Sequence, residues 1–101
     1  MSSIKINKEN FESVIKSNEI VLLDFYAEWC GPCRMVGPII EEIASENPDI
    51  AVGKINVDEE SELAARYGVF SIPTLVVIKG GELVKKSVGA KPKEQILELI
   101  K

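Results

Sequence analysis

Val21-Leu22-Leu23-Asp24-Phe25-Tyr26-Ala27-Glu28-Trp29-Cys30-Gly31-Pro32-Cys33 is the stretch whose reading decides the fold. Its first half is an apolar run of strand length, rich in branched and aromatic side chains, and predicts a buried central strand. Its end carries both cysteines of the chain around Gly31-Pro32. From Cys33 onward, Met35, Val36, Ile39, Ile40, Ile43 and Ala44 recur at helical spacing. A strand therefore runs into a tight turn, and the turn sits on a helix N-terminus with Cys30 just ahead of the first turn. Pro32 falls near the first helical position, where its missing N–H costs nothing.

The free N–H groups and dipole of a helix start favour thiolate, the nucleophilic form of cysteine. Two cysteines at this spacing can also close a small disulfide ring. The plainer alternatives are a structural pair or half of a zinc site. Four-ligand zinc needs two more Cys or His, and the chain has no His and no third Cys. Only a site shared between two chains would remain, so redox chemistry is the stronger reading. Cys30, first of the pair and outside the helix, is the expected nucleophile, more exposed and lower in pKa. Cys33, within the first turn, should be more buried and suits a resolving thiol.

At 101 residues the chain can bury one core, and residues 1–101 read as a single α/β domain. No apolar run approaches the roughly 20 residues of a membrane helix. The opening Met1-Ser2-Ser3-Ile4-Lys5-Ile6-Asn7 lacks the apolar core of a leader. A reducing, cytoplasmic home is the expectation, and there a lone cysteine pair is more often catalytic than structural. The net charge is −4 and the basic residues are scattered, so nothing marks a nucleic-acid surface.

Along the chain, Ile4-Lys5-Ile6 reads as a short strand with Asn7 as a helix cap after it. Phe11, Val14 and Ile15 mark one helix face. The long helix after Cys33 contains Pro38, expected to kink it, and stops at Asn47-Pro48-Asp49. A strand follows over Ile50 to Val57, interrupted by Gly53 and Lys54. A short helix carries Leu63, Ala64 and Tyr67 and ends at Gly68. The irregular link Val69-Phe70-Ser71-Ile72-Pro73 leads into the apolar strand Thr74 to Lys79, and Gly80-Gly81 turns it into Leu83–Val88. Pro92 precedes a last helix with Ile96, Leu97 and Ile100 on one face. The order β-α-β-α-β-α-β-β-α implies parallel neighbours from its βαβ parts, plus one antiparallel strand from the hairpin.

Trp29-Cys30-Gly31-Pro32-Cys33, preceded by Asp24-Phe25-Tyr26-Ala27-Glu28, resembles the active site of the thioredoxin family, and a C-x-x-C near a βαβ pattern is a known signature of that fold. The resemblance covers almost the whole chain. It implies a mixed sheet of about five strands flanked by about four helices. It also implies a general protein-disulfide reductase that cycles between a Cys30–Cys33 disulfide and a dithiol, with Gly31 and Pro32 tuning the pair and no bound cofactor. Its partners would be a thioredoxin reductase using NADPH and proteins with accessible disulfides; for the chain itself a monomer is the simplest expectation.

Asp24 lies mid-strand, where charge is costly unless paired and burial favours the protonated form. On the residues alone, a carboxylate bonded to backbone groups is an equal reading. The resemblance makes Asp24 the proton acceptor for Cys33 and Lys54 the lysine that tunes it; a solvated lysine is the plain alternative for Lys54. It also makes Ile72-Pro73-Thr74 a cis-proline loop that pairs with an extended substrate segment. Trp29, at the strand end, suggests an exposed binding surface completed by Gly31, Pro32, Ile72, Val88 and Gly89. Tyr26 stands where many members carry a second Trp, and Phe70 where a polar residue is common, which makes that face more apolar. Two rivals remain: an oxidant or isomerase of the same fold, disfavoured by the absence of His between the cysteines, and a binding module that would keep its function without them.

Overall fold

The branched residues after Glu19 form a strand, Ile20–Tyr26, whose residues 21–25 are all buried. The structure, a computed structural model, describes residues 3–101. Met1 and Ser2, which the single-domain and leader readings include, lie outside the described residues. In chain order the elements are β1 (Ile4–Lys5), α1 (Phe11–Ser17), β2 (Ile20–Tyr26), α2 (Gly31–Glu46) and β3 (Ala51–Asn56). These are followed by α3 (Ser61–Arg66), β4 (Thr74–Lys79), β5 (Glu82–Val88) and α4 (Lys93–Leu99). The expected order of elements and the mixed sheet are both present.

The sheet runs β1-β3-β2-β4-β5. β3 is parallel to both β1 and β2, whereas β4 is antiparallel to β2 and to β5. The expectation of parallel neighbours therefore fails for the β3–α3–β4 unit. α3 spans only six residues, and the irregular link after it returns the chain to the sheet running the opposite way. The hairpin follows the sequence reading: Gly80 and Gly81 both hold positive φ (59° and 84°), which matches the twist of the strands they join.

Strand alternation divides the core in two. Val21, Leu23 and Phe25 of β2 face Phe11, Ile15, Leu63 and Ala64 on the α1 and α3 side. Leu22 faces Val36, Ile40, Ile43 and Ile96 on the α2 and α4 side, with Val52, Leu75 and Val77 of the neighbouring strands. Asp24 shares the parity of Leu22, so its carboxyl belongs to the layer beneath α2.

Two details refine the sequence reading. Asn7 Oδ1 accepts from the N–H groups of Glu9 and Asn10 (both 2.9 Å), so it caps the turn that leads into α1 while Asn10 is the residue before the helix. Gly53 marks a close approach rather than an interruption of the strand. A Cβ there would lie 2.6 Å from Ile6 Cγ1 and 3.1 Å from Leu23 Cδ2. Gly53→Ala is expected to overpack this side of the sheet and cost roughly 1–3 kcal/mol. Urea unfolding of both proteins measures it, and an unchanged midpoint would show that Ile6 can move aside.

Candidate active site

β2 ends at Tyr26, and four residues carry the chain to the start of α2. Cys30 is the residue ahead of the helix, in an extended conformation (φ −91°, ψ 112°), and Pro32 lies in the first turn. The Cys33 N–H donates to Cys30 Sγ (3.2 Å), and the Cys30 N–H donates to Ala27 O (3.2 Å). The two cysteines are joined as a disulfide with Cα atoms 5.3 Å apart. One sulfur thus takes the place of a capping oxygen at the helix start, where a backbone N–H and the helix dipole favour negative charge.

The expected difference in exposure is absent. Cys30 and Cys33 are 4% and 5% exposed. Position outside the helix does not expose Cys30, because Ala27, Tyr26, Val57 and Ile72 pack around the pair. Gly31 and Pro32, in contrast, are exposed.

Asp24 is 1% exposed, and neither of its carboxyl oxygens has a hydrogen-bond partner in the protein. The backbone-bonded carboxylate of the plainer reading is therefore not what the fold contains. Burial raises its pKa from 3.8 to about 6; Lys54 opposes that rise and Glu41 adds to it. Lys54 lies directly across from Asp24 in the parallel β2–β3 register. Its ammonium sits over the Tyr26 ring, 4.7 Å from the centroid. A Cβ on Gly37 would lie 3.7 Å from the same nitrogen, so the ammonium rests against α2 rather than in open solvent.

A groove of about 380 Å³ runs along this side of the protein, lined in part by Cys33, Gly37, Glu41 and Lys54. Cys33, Gly37 and Glu41 are spaced four apart and so form one row of the helix. Glu41 accepts from the Ser3 N–H (2.9 Å) and from the Ser3 hydroxyl (2.5 Å). Arg34 Nη2 donates to Glu28 O (2.9 Å), tying the turn before Trp29 to the helix. The sequence reading passed over Gly37, Glu41 and Arg34; the four-residue spacing from Cys33 was the available signal for the first two.

On the outer side, Trp29 is 68% exposed and its Nε1 donates to Asp58 Oδ2 (2.8 Å). Ile72–Pro73 is a cis peptide bond, as the resemblance implied. Ile72 packs against the cysteine cluster, and Pro73 O accepts from the Gly89 N–H (2.8 Å), which brings the end of β5 to the same loop. Thr74 is fully buried and its hydroxyl donates to Ser71 O, so its side chain shapes the loop from beneath. Phe70 is 94% exposed and Val88 53%.

The Thioredoxin family model matches residues 2–101. The chain is 54% identical over 95 residues to thioredoxin of Chlamydia pneumoniae, covering 94% of this chain and 92% of that one. It is 50% identical over 101 residues to thioredoxin of Bacillus subtilis (strain 168), covering 99% and 96%. A mutant thioredoxin from Halobacterium salinarum NRC-1 superposes with a TM-score of 0.92 at 42% identity, covering 98% of this chain and 88% of that one.

The raised Asp24 pKa has a consequence for stability. The folded state holds this proton more tightly than the unfolded chain, so between about pH 4 and 6 it binds more protons and loses stability as pH rises. Above that window the cost levels off at on the order of 3 kcal/mol. Asp24→Asn is expected to remove this slope and to be the more stable protein at pH 7. Urea unfolding of the disulfide form across pH checks it; an identical slope in both proteins would place the titration elsewhere.

Proposed function

Because the chain belongs to the thioredoxin family, we propose that it is a general reductant of protein disulfides in which Cys30 attacks, Cys33 resolves and Asp24 accepts the Cys33 proton. The chain is a thiol–disulfide oxidoreductase, and Cys30–Cys33 is its redox-active centre. The observation that carries the finer reading is Asp24: a buried carboxyl with no hydrogen-bond partner, in the layer beneath the helix that bears Cys33.

The cycle starts from the dithiol. Cys30 thiolate attacks one sulfur of a substrate disulfide; a mixed disulfide forms and the other substrate sulfur leaves as a thiolate. Cys33 then gives its proton to Asp24, attacks Cys30 Sγ and releases the second substrate thiolate. The substrate gains two electrons and the Cys30–Cys33 bond forms. A base serves best when its pKa is near the working pH, and an Asp at about 6 is mostly ionised at pH 7 yet holds a proton far better than an ordinary carboxylate. Lys54, opposite Asp24, limits how far burial raises that affinity.

Substrate docks on the exposed face. Exposed Trp29, half-buried Ile72 and Gly89, and the backbone at buried Pro73 contact it, Thr74 supports the loop, and Gly31 has open space where a side chain would be. Phe70 and Val88 extend this face with apolar surface. In this reading the electrons come from a thioredoxin reductase using NADPH, no bound cofactor takes part, and residues 1–101 act as one monomeric domain in the cytoplasm. Thioredoxins of bacteria among its relatives support that setting. Among the described residues no helix is long and apolar enough to cross a membrane.

The reduction potential of Cys30–Cys33, measured by equilibration in thiol buffers, is expected near the known value for thioredoxin, about −270 mV. A value of about −180 mV or higher, the range of protein disulfide isomerase, would overturn the reductant direction. Cys33→Ser is expected to accumulate the mixed disulfide, Cys30→Ser to form none, and Asp24→Asn to slow substrate release by roughly 100-fold.

A further inference from the structure

Two carboxylates, Asp24 and Glu41, feel the Lys54 charge. Asp24 faces Lys54 across the β2–β3 register, and Glu41 lies four residues beyond Gly37, against which that ammonium rests. Glu41 and Lys54 line the same groove as Cys33. Glu41 is not a free surface side chain, because both its oxygens accept from Ser3, on the segment leading into β1.

We propose that Glu41, held in place by Ser3, is a positioning residue for the proton transfer at Asp24. Its negative charge acts on Asp24 directly and also draws the Lys54 ammonium toward the groove. Both effects make the buried carboxyl hold its proton more tightly. The proposal rests on the reading of Asp24 as proton acceptor and adds a control on its strength from outside the cysteine motif.

The electrostatics agree in sign. The Ser3 hydroxyl and then the Ser3 N–H hold the Glu41 carboxyl below its ordinary range, so Glu41 is ionised throughout the interval in which Asp24 titrates. Glu41 raises the Asp24 pKa and Lys54 lowers it. The other groups on this side are few. Arg34 and Cys33 of α2, Tyr26 of β2 and Glu28 after it line the groove; burial and then Glu28 raise the Tyr26 pKa, Lys5 opposes, and Glu59 and Asp24 add to the rise. Opposite Asp24 on β4 is Leu75, which carries no charge. Arg34 donates to Glu28 O, and Lys54 is the cation that acts on both carboxylates.

The test reads Asp24 itself, by carbon-13 NMR of its carboxyl against pH in the disulfide form of the full chain. Glu41→Gln keeps the shape and removes the charge, and is expected to lower the Asp24 midpoint by roughly half a pH unit. Ser3→Ala leaves the Glu41 charge but loosens its placement, and is expected to lower the midpoint by less. Glu41→Gln should also move the pH profile of disulfide reduction toward acid by the same interval, a displacement that mere loosening of the fold would not give. A Glu41→Gln midpoint equal to or above that of the unmodified protein would overturn the proposal, and a Ser3→Ala midpoint equal to it would overturn the role of Ser3. Asp24→Asn separates the two readings. If it leaves the pH profile of reduction unchanged, Asp24 is not the acceptor, whereas the NMR midpoints still judge Glu41.

Discussion

A carboxyl group held without a hydrogen-bond partner in the layer between a sheet and a helix is the constraint around which this protein is arranged. Isolated charge in such a place is so unfavourable that the group must find a counter-ion, keep its proton or be excluded. The fold does some of each at Asp24. β2 is paired on both edges and cannot turn the residue outward, since a shift of one place would put Leu23 and Phe25 on the wrong face. The carboxyl is therefore fixed beneath α2, and Lys54 on the adjoining strand is near enough to moderate the cost without forming a close ion pair. A direct pair would hold the group ionised and leave it a poor proton acceptor. The loose arrangement leaves a carboxyl that titrates near working pH, at some expense in stability.

The same strand places the thiols. Because β2 stops at Tyr26 and the Val57 N–H donates to Tyr26 O (2.9 Å), the chain leaves the sheet at a defined point and enters α2 after four intervening residues. Cys30 is thereby set ahead of the helix and Cys33 inside it, with Arg34 tying the turn through Glu28 O. The disulfide pair and the buried Asp24 carboxyl are thus two ends of one strand–turn–helix unit. The row Cys33, Gly37, Glu41 extends that unit down the helix to the segment before β1.

Much of this was readable in the residues because each signal was local. The apolar run of β2, the helical spacing after Cys33 and the glycine pair of the hairpin each specify their own element. What was not readable depended on contacts between distant segments. The antiparallel course of β4 is set by how the short α3 and the link after it return to the sheet. The equal burial of Cys30 and Cys33 comes from Val57 and Ile72, both far along the chain. Asp24 was recognisable as an anomaly, but whether it had a hydrogen-bond partner was a property of the packing. Glu41 looked like any acidic residue on a helix, since its relation to Ser3 spans 38 positions.

The charges around the pair also bear on which way electrons flow. A dithiol of this kind becomes oxidising when its thiolate form is strongly stabilised, because that stabilises the reduced state relative to the disulfide. Here the stabilisation at Cys30 comes from the helix start and the Cys33 N–H, among Ala27, Tyr26, Val57 and Ile72. Two cations line the groove beside Cys33 and are engaged elsewhere: Arg34 holds a backbone carbonyl, and Lys54 lies over the Tyr26 ring. Acidic groups outnumber them, with Asp24, Glu28 and Glu41 on the same side. The pull on negative charge at Cys30 is thus that of the helix start and one backbone N–H. A pull confined to backbone groups leaves the disulfide easier to form than a thiolate held by cations would, which is the sense the proposed reduction of substrate needs.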